Sequence, residues 1–158
     1  MSNADSLSES DTADTGNQVN AMRTILVGTD FTPDSDRAFN KACEIAQGMG
    51  ERVHLLHVVE RVDEPDSADP DTQKFYAALT VLSEVKLETE KTANQRPVTV
   101  THSVEIGPRV ETIQRVADEL EVDLIVLGRS PRNEDNTLRF GVSQRVAWFS
   151  TRPVLLVP

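Results

Sequence analysis

The sequence predicts an α/β fold, a five-stranded, mostly parallel sheet with helices on both faces. Three observations carry this. Short apolar runs alternate with longer segments whose apolar residues recur at helical spacing. The fourth run, Val122 and Leu124 to Leu127, is continuously apolar rather than alternating, as expected of a central strand covered on both faces. The segment between the first two runs is long enough for a helix to cross over, which makes a right-handed parallel unit the natural connection. A chain of 158 residues can bury such a core without metal or disulfide staples.

Residues 1–21 are mostly Ser, Asp, Asn and Thr, with Asp5, Glu9, Asp11 and Asp14 and no basic residue. Too little apolar surface is available there to offset ordering entropy, so a disordered acidic tail is expected, with the domain spanning 22–158. Thr24 to Gly28 reads as the first strand. Thr32 as N-cap and Pro33 at the first position open a helix, whose inner face is expected to carry Ala38, Ala42, Ile45, Ala46 and Met49. Gly48 and Gly50 end it. Arg52 to Val59 is the second strand. His54 and His57 fall on its opposite faces and cannot share a metal, so packing or water is expected to satisfy them and the separate His102.

An acidic, proline-containing loop leads to a second helix from about Asp71 to Thr92, with Phe75, Ala78, Leu79, Leu82 and Val85 expected as its core stripe. Asn94 to Pro97 is a turn, and Val98 to Val104 alternates as a half-covered third strand. Gly107 and Pro108 open a third helix with Val110, Ile113, Val116, Ala117 and Leu120 inward. After the fourth strand, Ser143 to Phe149 is helical, and Val154 to Val157 is the last strand.

Charge and cysteine content narrow the function. The formal charge of −10 is concentrated in the tail, at −4, and in Glu60 to Asp71, at −5, leaving −1 over the rest. Acidic segments on a balanced core disfavour nucleic acid and anionic membranes as partners. The one cysteine, Cys43, allows no intramolecular disulfide and reads as a small buried hydrophobe among Ala42, Ile45 and Ala46. No run approaches the roughly 18 apolar residues of a membrane span and no signal core is evident, so a cytoplasmic location is expected. The loop after strand four carries Arg129, Arg132 and Arg139, followed by Arg145, a local cationic patch at the carboxyl end of a strand, where open α/β sheets hold ligands.

ILVGTDFTPDSDRAFNKACEIA from Ile25, VHLLHVV in strand two, GPRVETIQRVADELEVDLIVLG before the loop and RPVLLVP at the end together resemble the universal stress protein family. The resemblance implies a Rossmann-like, adenine nucleotide alpha hydrolase-like fold and a binding and regulatory module rather than an enzyme. In that family the loop follows G-x2-G-x9-G-[ST], and members that keep it generally hold ATP. Glycines let backbone N–H groups close around phosphates at a helix N-terminus. Gly128 and Gly141 match the first and third glycines, whereas Pro131 replaces the second and Val142 the hydroxyl residue. Ser143 supplies a hydroxyl if the helix begins one residue later.

Asp30 matches the acidic residue that faces ribose or phosphate-bound magnesium, its alternative role being to cap the following turn. Val53 matches the region that meets adenine through its backbone. With Thr29 and Arg129, these residues are the expected nucleotide site, ATP with magnesium being the implied ligand. The alternatives are a nucleotide-free member acting by dimerisation and partner docking, and a slow ATP hydrolase, for which no general base can be named. The resemblance also implies a homodimer through Val154, Leu155, Leu156 and Val157, an apolar edge strand that invites pairing.

Overall fold

Ile25, Leu26 and Val27 have no solvent exposure, and β1 (Thr24–Thr29) is accordingly the middle strand of the sheet. The structure is a computed structural model that describes residues 23–61, 69–129 and 140–158. The expected tail therefore lies outside the described residues, as do Pro131, Arg132 and Arg139. From β1 the chain enters α1 (Pro33–Met49), β2 (Arg52–Val59), α2 (Pro70–Ala93), β3 (Val100–Ile106), α3 (Arg109–Glu119), β4 (Leu124–Gly128), α4 (Val142–Phe149) and β5 (Val154–Val157). The order across the sheet is β3-β2-β1-β4-β5, with every neighbouring pair parallel.

Two apolar layers hold the helices to the sheet. One joins Ile25, Val27, Val53, Leu55 and Val126 to Ala38, Phe39, Ala42, Cys43 and Ala46 of α1 and Leu87 of α2. The other joins Leu26, Leu56, Val58, Ile125 and Leu127 to Val110, Ile113, Val116 and Ala117 of α3 and Val146 of α4. Cys43 is the small core residue expected, and burial pushes its thiol up to about 11, which keeps it unreactive. His54 and His57 do face opposite sides. His54 hydrogen-bonds Thr101 Oγ1 and Ser103 Oγ, each at 2.8 Å, and His57 Nδ1 lies 2.8 Å from the Thr29 carbonyl.

The starts and stops follow local chemistry. At α1, Thr32 Oγ1 accepts from the Ser35 N–H and Ser35 Oγ accepts from the Thr32 N–H, a reciprocal capping box with Pro33 at the first turn. Gly50, in the left-handed region at φ 69°, ends the helix. β3 begins at Val100 rather than Val98, whose N–H is spent on the Arg96 carbonyl in the preceding turn. Helix four opens at Val142, one residue earlier than expected, with Gly141 as N-cap. Met49, expected inward, is exposed because it is the last residue before the terminating turn.

The largest departure is α2. Of its expected core stripe, Phe75, Ala78, Leu82 and Val85 face solvent and Leu79 is half-buried. The helix docks instead through Tyr76, Ser83 and Leu87. Its site over the sheet edge explains the rotation. His102 of β3 projects toward α2, with Nε2 2.9 Å from Glu84 and Nδ1 3.6 Å from Glu88, and pairing these groups turns Ser83 and Leu87 inward.

Candidate functional site

β1 and β4 are neighbours whose following helices leave on opposite faces, so their carboxyl ends diverge and open a crevice at the topological switch point. A cleft of about 420 Å³ occupies it, within the range of small-molecule sites. Leu56, Val58, Ile113, Leu127 and Val142 give it an apolar floor, while Asp30, Asp34, Arg109 and Arg129 supply charge at its margins.

Of the residues singled out from sequence, Thr29, Asp30, Gly128, Arg129, Val142 and Ser143 line this cleft. Gly141 adjoins it as the N-cap of α4, whose first-turn backbone N–H groups have no side-chain cap. Val53 does not reach it. It sits near the amino end of β2, fully buried beneath α1, and the β2 residues at the cleft are Leu56, His57 and Val58. The reason is directional: in a parallel sheet only carboxyl ends border the crevice, and Val53 lies at the other end.

The turn after β1 shapes one wall. The Asp30 carboxylate accepts from the Thr32 N–H at 3.2 Å and from its hydroxyl, so it performs the turn-capping role as well as facing the cleft. Thr29 Oγ1 accepts from the Phe31 N–H at 3.1 Å and lies 3.1 Å from Ser35 Oγ. Phe31 is held at φ 62°, unusual for an aromatic residue. Its ring packs 4.4 Å from that of His57 and beneath Lys86 Nζ at 4.9 Å. Desolvation holds the His57 imidazole below its ordinary range, partly offset by its bond to Thr29, so it is a neutral wall rather than a cation.

The opposite wall begins at Gly128. A Cβ there would lie 2.6 Å from the Asp34 carbonyl oxygen, so glycine is required by the close approach of β4 to the first turn of α1, whatever the loop beyond it does. The Arg129 N–H then donates to the Val157 carbonyl at 2.7 Å, tying the loop's first residue to the sheet. Ser143 is buried, and its hydroxyl lies 3.2 Å from Gln144 Oε1.

Arg109 is the residue that reading the sequence missed. It opens α3 directly after Gly107-Pro108, half-exposed, with Nε 3.4 Å from Glu60. The signal was present: a cation at the first position of a helix leaving the carboxyl end of a strand, in the segment GPR. Asp34 was likewise missed, and its charge is already matched by Arg37. Arg109, already near Glu60, and Arg129 thus border the cleft with the start of α4, and among the described residues no ion pair engages Asp30.

The Universal stress protein family matches residues 22–158. Among solved structures, the chain is similar to a universal stress family protein from Burkholderia pseudomallei, at 24% identity and TM-score 0.67, covering 85% of this chain and 95% of that one. It is similar to a universal stress protein in complex with cAMP, at 23% identity and TM-score 0.60, covering 87% and 98%. A third, from Archaeoglobus fulgidus in complex with dAMP, is 18% identical with TM-score 0.57 and covers 87% and 98%. At these identities the structures speak to the fold. The family match spans almost the whole domain, and with the five-stranded parallel sheet and its switch-point cleft it establishes that this chain belongs to the universal stress protein family.

Proposed function

We propose that this protein is a binding and regulatory module that holds an adenine nucleotide in the switch-point cleft. The observation that carries this is the convergence of Asp30, Arg109, Arg129 and the uncapped start of α4 around an apolar floor. The floor suits a planar base, Asp30 accepts from ribose hydroxyls, and the arginines with the α4 dipole suit phosphate. Structural relatives in complex with cAMP and dAMP support the ligand class. If magnesium accompanies ATP, Asp30 is the carboxylate placed to meet it; no group of three metal-ligating side chains lies among the described residues.

Isothermal titration of the full chain with ATP, AMP and cAMP, with and without magnesium, tests the reading. Arg109→Ala is expected to weaken binding roughly tenfold, the scale of one charge-assisted phosphate contact. Absence of binding by the parent at millimolar nucleotide, together with its appearance in Pro131→Gly/Val142→Ser, assigns the protein to nucleotide-free docking instead.

A homodimer through β5 belongs to the same proposal. All four strand residues, Val154 to Val157, are only half-buried on an open sheet edge, and Trp148 and Phe149 of the preceding helix are exposed. Light scattering is expected to give at least twice the chain mass, and a monomer at every concentration overturns this part.

A further inference from the structure

α2 is apolar on two sides. Tyr76 and Leu87 dock it on the sheet, yet Phe75, Val81, Leu82 and Val85 are 58%, 64%, 53% and 60% exposed on the far side. This outer face has its own order. Phe75, Ala78, Leu82 and Val85 are spaced three, four and three residues apart, continued by the exposed Thr89 and Thr92. That is the 3.5-residue seam by which one helix packs along another, not the broader stripe of a helix lying on a sheet. The segments outside the described residues, 1–22, 62–68 and 130–139, hold only Met1, Leu7, Val19, Met22, Val62 and Leu138 as Val, Leu, Ile or Met, scattered singly. None has the spacing to cover such a seam.

The face is complementary to itself when a second α2 runs antiparallel. Phe75 then meets Val85 of the second copy and Leu82 meets Ala78, so each layer pairs a larger with a smaller side chain, four layers in all. On the flank, Val81 meets Val81 at the two-fold axis, and Lys74 meets Glu88 at both ends. Lys74 is 80% exposed, its contact to Asp71 at 3.7 Å being loose. Glu88 sits at the border of the inner contact, 3.2 Å from Lys91 and 3.6 Å from His102 Nδ1, and its side chain is still more than half-exposed. A charge pair at each end favours this antiparallel register over a parallel one, in which this flank meets the opposite flank of the second copy, Lys74 beside Leu79 and Glu88 beside Ala93, and both charges go unmatched.

We propose that the outer face of α2 is an isologous docking surface for a second copy of this chain, packed antiparallel with Val81 on the two-fold axis. It is separate from any contact made by β5. α2 covers β2 and β3 at one edge of the sheet, whereas β5 is the opposite edge.

Cysteine crosslinking of the full-length protein under mild oxidant tests this cleanly, because native Cys43 is buried. Val81→Cys is expected to form a disulfide-linked dimer. Phe75→Cys, equally exposed, is not, since its counterpart sits about 15 Å away along the paired helices. Lys74→Glu in the Val81→Cys background is expected to slow crosslinking roughly tenfold, by placing like charges at both ends, and adding Glu88→Lys to restore it. Equal rates for Val81→Cys and Phe75→Cys, or failure of the charge swap to restore the rate, overturns the proposal. So does the absence of any crosslinked dimer, which leaves the face to a different partner.

Discussion

α1 and α2 lie on the same face of the sheet, yet they are held by different means. α1 crosses the middle of the sheet and buries Ala38, Phe39, Ala42, Cys43 and Ala46 against strands whose residues are themselves fully buried. α2 lies over the edge strands, where the sheet offers His102 and a narrower apolar strip. It docks through Tyr76, Ser83 and Leu87 with Glu84 and Glu88 at His102, and leaves its larger aliphatic residues outside. An apolar residue on a helix is thus core only if the sheet beneath it is wide enough to receive it.

The same substitution at two positions of α2 sharpens this contrast most. Leu87 is fully buried, so Leu87→Ala is expected to cost about 3 kcal/mol, the transfer term plus the cavity. Leu82→Ala is expected to change stability by under about 0.5 kcal/mol. Urea unfolding at low micromolar protein, where association is minimal, measures both. Comparable losses would show that Leu82 is as buried in solution as Leu87 and that the two faces of α2 do not differ.

A smaller effect probes the polar character of the α2 contact. Burial pushes the Glu90 carboxyl up to about 7 from an ordinary 4.5, with Asp36 and Asp30 adding repulsion and Lys86 opposing it. Its Oε2 is buried with no hydrogen-bond partner among the described residues. Because the folded value exceeds the unfolded one, the stability contributed by the protonated group is fully present below about pH 4.5 and is lost as pH rises through 7. Glutamine mimics the protonated form. Glu90→Gln is therefore expected to be more stable than the parent at pH 8 by about 1 kcal/mol, discounted for partial exposure, with the gap closing toward pH 5. Parallel stability profiles for the two proteins would show that Glu90 is solvated.

Much of this molecule is legible in the chain. The strands announce themselves by apolar runs, and Thr32-Pro33 and Gly50 mark the limits of α1 because capping is a local matter of side chain and backbone. At the cleft, Asp30, Gly128 and Arg129 could be named because they end strands. Arg109 and His57 could not be named with the same ease, since their place follows from which strand ends border the crevice. Val53 was misplaced for the same reason, lying at the amino end of a strand whose carboxyl end does the lining.

What sequence by itself determined is the set of elements, their parallel connection and the family they belong to. Periodicity, caps and crossover length act over a few residues and need no partner to be read. Tertiary structure alone decided which face of α2 is core, which β2 residues reach the cleft, and that Gly128 is a glycine because Asp34 of α1 passes within contact of it. Each of these depends on what lies across from a residue, and a linear pattern records what a side chain is, not what it meets.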